Sequence, residues 1–308
     1  MAANGLAVQI NGLCKSYKGL AALSRVDLEV SRGEVFGVLG RNGAGKTTLI
    51  EILEGLREPD KGEVSVLGFD PTRSLKSIKE RIGVQLQRPT FYGRLKVIEV
   101  LKQFQSYYTR KADLEQLLTD VALSEKRDSF VKHLSGGQLQ RLALALALIN
   151  DPEIVFMDEP TTGLDPSIRR QLWHIIGEIK QAGKTVLLTT HYIEEAEKLC
   201  DRVCVMEAGE IIALDSPSNM VSRVRGRSAR IRLTAMRPLD LGPIKGIKLL
   251  ETSINGDACY VLEAENTGRT VADLVNYIEA QDNELIDLQV ARATLEDAFV
   301  ELTGKRIK

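Results

Sequence analysis

The segment from residue 40 to residue 48 constrains this chain more than any other part of its sequence. It fits the pattern G-x-x-x-x-G-K-[ST] at every fixed position, and its residues are Gly40, Arg41, Asn42, Gly43, Ala44, Gly45, Lys46, Thr47 and Thr48. In this pattern, glycines allow successive backbone N–H groups to wrap around a polyphosphate. We predict that Lys46 contacts the β- and γ-phosphates of a nucleotide and that the Thr47 hydroxyl ligates Mg²⁺.

The sequence on either side of this loop supports the same interpretation. An apolar run over residues 34–39 predicts a buried strand, and residues 47–53 have the apolar spacing of a helix. The N-terminus of that helix would then face the phosphates. The alternative is a glycine-rich turn that happens to precede a lysine, and the strand–loop–helix context argues against it.

Length and composition set the broad class of the protein. The chain has 308 residues, which suggests two domains, and its formal net charge of −1 favours neither nucleic acid nor an anionic membrane. The longest apolar stretch, Leu142–Ile149, is far shorter than the roughly 18 residues that a membrane-spanning helix needs. The N-terminus also lacks the basic and apolar regions of a signal peptide. We expect a protein that is neither secreted nor able to cross a membrane by itself.

Cysteine and histidine are few and scattered. The four cysteines, at positions 14, 200, 204 and 259, do not form a C-x-x-C motif, so we expect reduced thiols. The three histidines, His133, His174 and His191, include no pair at zinc spacing. We predict packing or capping roles for the first two.

Local patterns outline two domains, residues 1–220 and 221–308. An antiparallel sheet is predicted before residue 31, with Tyr17 at its turn, and an insertion of two or three helices is predicted within residues 88–150. After residue 220, strands near residues 229–233, 248–252, 258–264 and 285–290 alternate with helical patterns and predict a small α+β domain. A capping box at Thr294–Asp297 opens its last helix, for which we predict that Phe299 and Leu302 face inward.

Polar residues follow several of the apolar strands in the first domain. Gln87, Asp158, Glu159 and His191 each stand at or just beyond a strand end. The carboxyl ends of parallel strands meet at one sheet edge, so we expect these side chains to converge with Lys46. A second glycine-containing helix start, Leu134-Ser135-Gly136-Gly137-Gln138, offers another set of free N–H groups for an anion.

Taken together and in this order, these motifs resemble those of the ATP-binding cassette (ABC) ATPases over residues 5–220. The segment Leu134–Gln138 looks like the signature motif of that family, which other phosphate-loop ATPases lack. The fold implied by the resemblance is an α/β phosphate-loop cassette with a mixed sheet core, an antiparallel lead-in sheet and a helical insertion. The resemblance also implies ATP and Mg²⁺ as cofactors, with Tyr17 stacking on adenine and Mg²⁺ bound by Thr47, Gln87 and Asp158. It implies that Glu159 is the general base and His191 the switch histidine, with catalytic support from Lys46 and Gln87. Residues Gly163–Asp165 correspond to the D-loop of the family.

The resemblance further implies an assembly. In this family the signature segment reaches the nucleotide of a second subunit, so we expect a head-to-tail homodimer that encloses two ATP molecules. It also implies a separate polytopic membrane permease, and a peripheral location on the cytoplasmic face of the membrane. The C-terminal segment is similar to the tails of bacterial drug-resistance, haem and polysaccharide exporters. The sequence departs from the family at Arg41, where proline or histidine is more familiar.

Two other functions remain to be compared with transport. A cassette ATPase acting on nucleic acid or ribosomes could use the arginines at positions 223, 225, 227, 230 and 232. However, 308 residues hold neither two fused cassettes nor a long coiled-coil insertion. A switch GTPase would need an N-K-x-D segment, which the sequence lacks.

Overall fold

The computed structural model describes residues 5–85, 91–225, 229–255, 257–264, 266–292 and 294–304. The chain divides into two compact units, the first ending at Pro217 and the second beginning at Ser218. None of the helices in these described ranges has the length and hydropathy needed to span a bilayer.

The first unit alternates strands with helices. Its strands are β1 (Leu6–Tyr17), β2 (Leu20–Ser31), β3 (Val35–Leu39), β4 (Lys61–Val66), β5 (Ile82–Gln85), β6 (Ile154–Asp158), β7 (Thr185–Thr190), β8 (Arg202–Glu207) and β9 (Glu210–Asp215). Its helices are α1 (Lys46–Leu53), α2 (Leu75–Lys79), α3 (Val97–Gln105), α4 (Leu114–Asp120), α5 (Gly136–Leu148), α6 (Pro166–Gln181) and α7 (Ile193–Leu199). Two short 3₁₀ turns, Ser124–Lys126 and Val131–His133, separate α4 from α5.

Two sheets organise this unit. The larger has the order β5-β6-β7-β3-β8-β9 and is parallel except for its last pair, β8 and β9. The smaller is antiparallel, with the order β2-β1-β4. The predicted fold class, an α/β cassette with a mixed core sheet and an antiparallel lead-in sheet, is therefore confirmed.

The central strands explain why the apolar runs in the sequence are continuous rather than alternating. All residues of β3 and β7 are buried, as are the first four residues of β6. A parallel strand that is covered on both faces needs apolar side chains on both faces. The main core cluster joins this sheet to α1 and to the lead-in sheet, and it includes Leu13, Leu28, Phe36, Leu49 and Phe156.

One glycine sets the distance between the outer strand and the long helix of the insertion. A Cβ added to Gly83 on β5 would lie 1.9 Å from the backbone oxygen of Ala147 on α5. Backbone cannot move aside as a flexible side chain can, so this position accepts only glycine. The close approach fixes α5, and hence the glycine-containing segment at its start, relative to the sheet.

The second unit is a small α+β fold. It begins with α8 (Pro217–Arg225) and continues with β10 (Ala229–Ala235), β11 (Ile247–Asn255), β12 (Asp257–Ala264), α9 (Thr267–Ala280), β13 (Leu285–Arg292) and α10 (Leu295–Thr303). The antiparallel sheet has the order β11-β12-β10-β13, and α9 packs against β10 and β13. Its core includes Ile231, Leu233, Leu262, Leu274 and Ile278.

The last helix shows one wrong prediction. Thr294 caps α10 through a capping box with Asp297, and Phe299 is fully buried, as expected. Leu302, predicted to face inward, is 40% exposed. It lies in the last turn, next to the Gly304 C-cap with φ +67°, where the helix ends.

Candidate phosphate-binding site

Lys46 lies at the first position of α1 and is almost fully buried. Its ammonium (Nζ) is 2.9 Å from the carbonyl oxygen of Gly40, 3.3 Å from that of Arg41 and 3.2 Å from Oε1 of Glu159. A buried ammonium needs such partners, because desolvation without them is costly. Lys46 therefore links the start of the phosphate loop, through two carbonyl oxygens, to Glu159 just beyond the end of β6.

The loop leaves the start of α1 open. The N-cap residue is Gly45, which has φ +104° and provides no side-chain cap to the first N–H groups of the helix. A Cβ at Gly45 would approach the carbonyl oxygen of Ala22 to 2.6 Å, so only glycine fits. Residues 41–43 are exposed at the rim. Uncapped N–H groups at a helix N-terminus, beside a buried cation, form a site for a phosphate.

Asp158 and Thr47 face each other across this site. Oδ2 of Asp158, at the end of β6, is 3.2 Å from the Thr47 hydroxyl, and the other carboxylate oxygen accepts a hydrogen bond from the Thr189 hydroxyl. Hard oxygen atoms are the ligands that Mg²⁺ prefers, and Mg²⁺ usually takes only one or two carboxylates from the protein. In the described ranges no three Asp, Glu, His or Cys side chains cluster as a metal cage. This pair of oxygens suits a cation shared with phosphate.

Glu159 has an unusual backbone conformation. Its φ is +48°, a left-handed value that costs a non-glycine residue on the order of 1–3 kcal/mol. The strand of Thr189 holds it there: the Glu159 N–H donates to the Thr189 hydroxyl at 3.0 Å and lies 3.2 Å from the Thr189 carbonyl oxygen. This turn of the chain aims the carboxylate back toward Lys46 rather than along the strand.

The charge state of Glu159 follows from its neighbours. Burial raises the pKa of this carboxyl, but the charges of Lys46 and His191, with a 3.0 Å hydrogen bond from the Thr162 hydroxyl, outweigh burial and hold the pKa below its usual value. The carboxylate is therefore ionised at neutral pH. An ionised carboxylate next to a phosphate site is suited to orient and deprotonate a water molecule.

His191 follows β7 and lies on the other side of Glu159. Its Nδ1 is 3.1 Å from Oε2 of Glu159, close enough for an ion pair but not aligned as a hydrogen bond. The ring lies 4.2 Å from that of Tyr192, centroid to centroid. Lys46, Asp158, Glu159 and His191 thus meet at one sheet edge, as the sequence predicted. Gln87, the remaining member of the predicted set, lies outside the described residues.

Tyr17 ends β1 with its ring 37% exposed. The Arg57 guanidinium is 5.4 Å from the ring centroid and the Lys15 ammonium 5.7 Å, and Arg57 also pairs with Glu51 on α1. Asp60 holds the adjacent backbone by accepting from the Ser16 N–H at 2.7 Å. An aromatic ring that is partly open and supported from below can stack on a base.

The signature segment forms the start of α5. Ser135 is the N-cap, and it exchanges hydrogen bonds with Gln138 in a capping box, 2.9 Å from the Ser135 N–H to Oε1 and 3.3 Å in return. Leu134 and Gly137 are buried, whereas nothing lies within 4 Å of the position a Gly136 Cβ would take. None of the polar contacts that Lys46 makes in the described ranges involves this segment. Its open face is free to meet another molecule.

Asp165 of the D-loop acts locally as a helix cap. Its carboxylate accepts from the N–H groups of Ser167 and Ile168, both at 3.0 Å, at the start of α6. These backbone hydrogen bonds lower its pKa below the usual value, although burial opposes them. The side chain is exposed, so its capping role leaves it at the surface.

Sequence reasoning missed several groups around this site. Thr189, which holds both Asp158 and Glu159, carries no motif signal. Gln85 is buried, and neither oxygen nor nitrogen of its amide has a hydrogen-bond partner in the described part of the chain. Glu54, directly after α1, and Glu195, on α7, are buried carboxyls in or next to helices whose sequences look amphipathic. Only the packing of those helices shows which face is covered.

Glu54 gives a pH-dependent prediction. It follows α1, is 4% exposed, and has its pKa raised to about 8 by burial first and then by the charges of Asp158 and Glu51. The folded chain thus holds a proton that the unfolded chain loses near pH 4.5, so stability falls as pH rises toward 8. We expect Glu54→Gln to raise the free energy of unfolding by on the order of 2–3 kcal/mol more at pH 7.5 than at pH 5.

Urea denaturation of the nucleotide-free chain at both pH values would measure this difference. The exposed Glu63→Gln substitution serves as the control, and we expect it to change little at either pH. An equal gain for Glu54→Gln at both pH values would contradict a raised pKa.

Comparison with known proteins shows the family of this chain. The family described as ABC transporter matches residues 23–162, and a family described as AAA domain, putative AbiEii toxin, Type IV TA system, matches residues 131–195. Nod factor export ATP-binding protein I of Rhizobium etli is 35% identical over 98% of this chain and 95% of its own length. The protein of the same name from Paraburkholderia xenovorans is 36% identical over 98% of each chain.

Solved structures show the same likeness. The ATP-binding subunit of an ABC transporter superposes with a TM-score of 0.64 and 28% identity, over 70% of this chain and 92% of that one. A bacterial ABC transporter cassette solved as a dimer gives 0.62 and 27%, over 68% and 98%. A post-hydrolysis state of a cassette bound to ADP and Pi gives 0.61 and 28%, again over 68% and 98%. The chain therefore belongs to the ABC transporter family, as an ATP-binding subunit that hydrolyses ATP.

Proposed function

We propose that this chain binds Mg²⁺-ATP as a homodimer and uses its hydrolysis to drive export through a separate membrane permease. The observation that carries the proposal is the meeting of Lys46, Glu159 and His191 beside an uncapped helix N-terminus. A cation, an ionised base and an imidazole at one phosphate site are what phosphoryl transfer to water requires.

The contacts suggest how the site responds to nucleotide. Lys46 is shared between two loop carbonyls and Glu159, so an entering γ-phosphate competes with Glu159 for the ammonium. When the ammonium turns to the phosphate, the Glu159 carboxylate accepts a proton from water. His191, on the far side of Glu159, is placed to stabilise charge on the phosphate oxygens.

We assign the remaining roles to residues near this centre. Thr47 and Asp158 would hold Mg²⁺, with Gln87 as a further ligand, and the ion would neutralise phosphate charge and orient the phosphates. Tyr17 would stack on adenine. The N–H groups of residues 40–48 would contact the phosphates.

The dimer completes the site in this proposal. The open face at Gly136 and the lack of any signature contact to Lys46 support a signature segment that acts on the nucleotide of a second copy. Residues 1–220 would carry the ATPase, and residues 221–308 would form an accessory domain. The chain would lie on the cytoplasmic face of the membrane, bound to its permease.

Export is the direction that the relatives support, since those described above are named for Nod factor export. An alternative role on nucleic acid would rely on the arginine cluster. Arg230 is already 3.4 Å from Asp297 in an ion pair, and the side chains at 223, 225 and 227 lie outside the described part. The charge of Arg230 is thus partly neutralised, which argues against a nucleic-acid contact at this position.

Purification from native membranes tests the proposal. The chain would be tagged at its N-terminus, expressed in its own host and extracted with mild detergent in the presence of ATP. We expect a polytopic membrane protein to co-purify, and to remain bound to a Lys46→Ala control, since docking does not need hydrolysis. Recovery with ribosomes or nucleic acid alone would overturn the transport proposal.

A further inference from the structure

The buried carboxyl group of Glu195, on α7, lies outside the phosphate site and has no part in the roles assigned above. It is fully buried. Its Oε1 accepts hydrogen bonds from the Thr161 hydroxyl at 2.9 Å and from the indole N–H of Trp173 at 3.1 Å. Burying a carboxylate is costly, and an apolar residue would fill the same space at less cost. The position therefore calls for an explanation beyond packing.

The donors to Glu195 come from the segments that carry the reacting groups. Thr161 is two residues beyond Glu159. Trp173 is on α6, the helix that Asp165 caps. Oε1 of Glu195 thus connects the segment that follows Glu159 to α6, the helix that follows the D-loop.

A third segment is linked to Glu195 through the chain, because α7, which carries Glu195, begins directly after His191 and Tyr192. Thr190, immediately before His191, is buried, and its hydroxyl oxygen accepts from the Tyr192 N–H at 2.9 Å. Burial raises the pKa of the Glu195 carboxyl, whereas the nearby hydroxyls of Thr190 and Thr161 and the indole N–H of Trp173 lower it. Burial is the larger effect, so the pKa is raised overall. Oε2 itself has no aligned partner within the described ranges.

A cation reinforces the connection from the other side. The Arg169 guanidinium on α6 lies 4.1 Å from the ring centroid of Tyr192, and it also donates to the carbonyl oxygen of Leu164 at 3.4 Å. The Tyr192 ring lies against that of His191 at 4.2 Å, centroid to centroid, with the two planes tilted. The D-loop end of α6 therefore touches the residue after the histidine, and α7, which carries Glu195, begins at the next residue.

We propose that Glu195 is a positioning residue for ATP hydrolysis, which holds together the segment after Glu159, helix α6 and the segment that follows His191. This inference rests on the proposed roles of Glu159 and His191. Glu195 touches neither of them, so its loss displaces them without removing them. A displacement of about 1 Å in a catalytic group costs about 100-fold in rate.

The test compares two substitutions of Glu195 in the full chain. Leucine fills a similar volume to glutamate but accepts no hydrogen bond. Glutamine keeps an oxygen that can accept hydrogen bonds from Thr161 and Trp173. For Glu195→Leu we expect kcat to fall about 10- to 100-fold, with the KM for ATP within about twofold of the parent. Glu195→Gln should keep kcat within about threefold. Each kcat is calculated per ATP-binding site, and the sites are titrated separately, so that misfolded protein does not lower the apparent kcat.

Three results would overturn the proposal: a parent kcat for Glu195→Leu, a loss of kcat and ATP binding in proportion, or an equal loss for the glutamine and leucine variants. Glu194→Gln, an exposed neighbour on the same helix, is the matched control and should keep the parent kcat.

A milder variant covers the case in which Glu195→Leu does not fold. Thr161→Val removes one donor at nearly constant shape, and we expect about a 3- to 10-fold lower kcat. If Glu195→Leu folds, the double variant Thr161→Val/Glu195→Leu should have the same kcat as Glu195→Leu alone, because both substitutions act through one group of contacts. A double variant in which the two losses of kcat multiply would contradict this. A Glu159→Gln chain that still hydrolyses ATP would instead count against the proposed function. The two failures are therefore distinguishable.

Discussion

The Glu159→Gln chain is expected to bind ATP, to hydrolyse it about 10²- to 10⁴-fold more slowly than the parent, and to accumulate as an ATP-bound dimer. Glutamine has nearly the shape of glutamate but cannot take a proton from water. Lys46, 3.2 Å from the carboxylate in the parent, stays in place to hold phosphate. Binding and hydrolysis are thereby separated.

Steady-state phosphate release would measure the rate of hydrolysis. Light scattering with and without ATP would measure the accumulation of the dimer. Glu63→Gln, an exposed substitution of the same kind in the lead-in sheet, should change neither quantity. A Glu159→Gln chain with the parent hydrolysis rate would exclude Glu159 as the base.

The Gly136→Asp chain should lose hydrolysis by about 100-fold or more while its thermal stability stays the same or rises slightly. In the single chain the new side chain enters open space at the first position of α5, where a negative charge is favoured by roughly 0.3–1 kcal/mol. Facing a triphosphate of a second copy, the same charge is repelled by roughly 4 kcal/mol per unit charge at 4 Å. A start of α5 that faces phosphate predicts both effects, whereas a purely structural role for Gly136 predicts a loss of stability instead.

Mixing two inactive chains gives the decisive form of this experiment. Gly136→Asp and Lys46→Ala are each expected to be inactive alone. In a mixed dimer, the intact loop of the first chain meets the intact signature segment of the second, so one working site is restored. Recovery of about a quarter of the parent activity on mixing would follow from random pairing of the two chains. No recovery would show that loop and signature act within one chain.

The neighbouring glycine provides a contrast. A Cβ at Gly137 would lie 2.6 Å from a side-chain carbon of Ile168 within the same chain. Substitution there disturbs the packing of α5 on α6, so stability and activity would fall together. Substitution of Gly137 therefore tests folding, whereas substitution of the adjacent Gly136 tests assembly with a second copy.

The sequence was informative where chemistry demands fixed residues at fixed spacing. The phosphate loop, the strand ends at Asp158 and His191 and the start of α5 are all where the motifs indicated, because each is set by local backbone geometry. The sequence does not indicate that Glu54 and Glu195 are buried, since a glutamate in or next to an amphipathic helix is usually exposed. The contact between Trp173 and Glu195 is equally hidden, because the two residues are 22 positions apart in the sequence.

The error at Leu302 has a related cause. Helical periodicity places Leu302 on the same face as Phe299, but periodicity does not state how far along a helix the covering surface extends. Gly304 ends α10 just after this residue, and the last turn lies beyond the buried part. Tertiary contacts, which one sequence does not display, decide such positions.

The contact between Lys46 and Glu159 also bears on how the empty subunit persists between turnovers. A phosphate site built only from cations and N–H groups would carry an unbalanced charge whenever nucleotide left, and the fold would bear that cost. Here the Glu159 carboxylate supplies a counter-charge at 3.2 Å. In our proposal a phosphate must compete with this carboxylate for Lys46, so the contact weakens ATP binding while it stabilises the fold of the subunit without nucleotide.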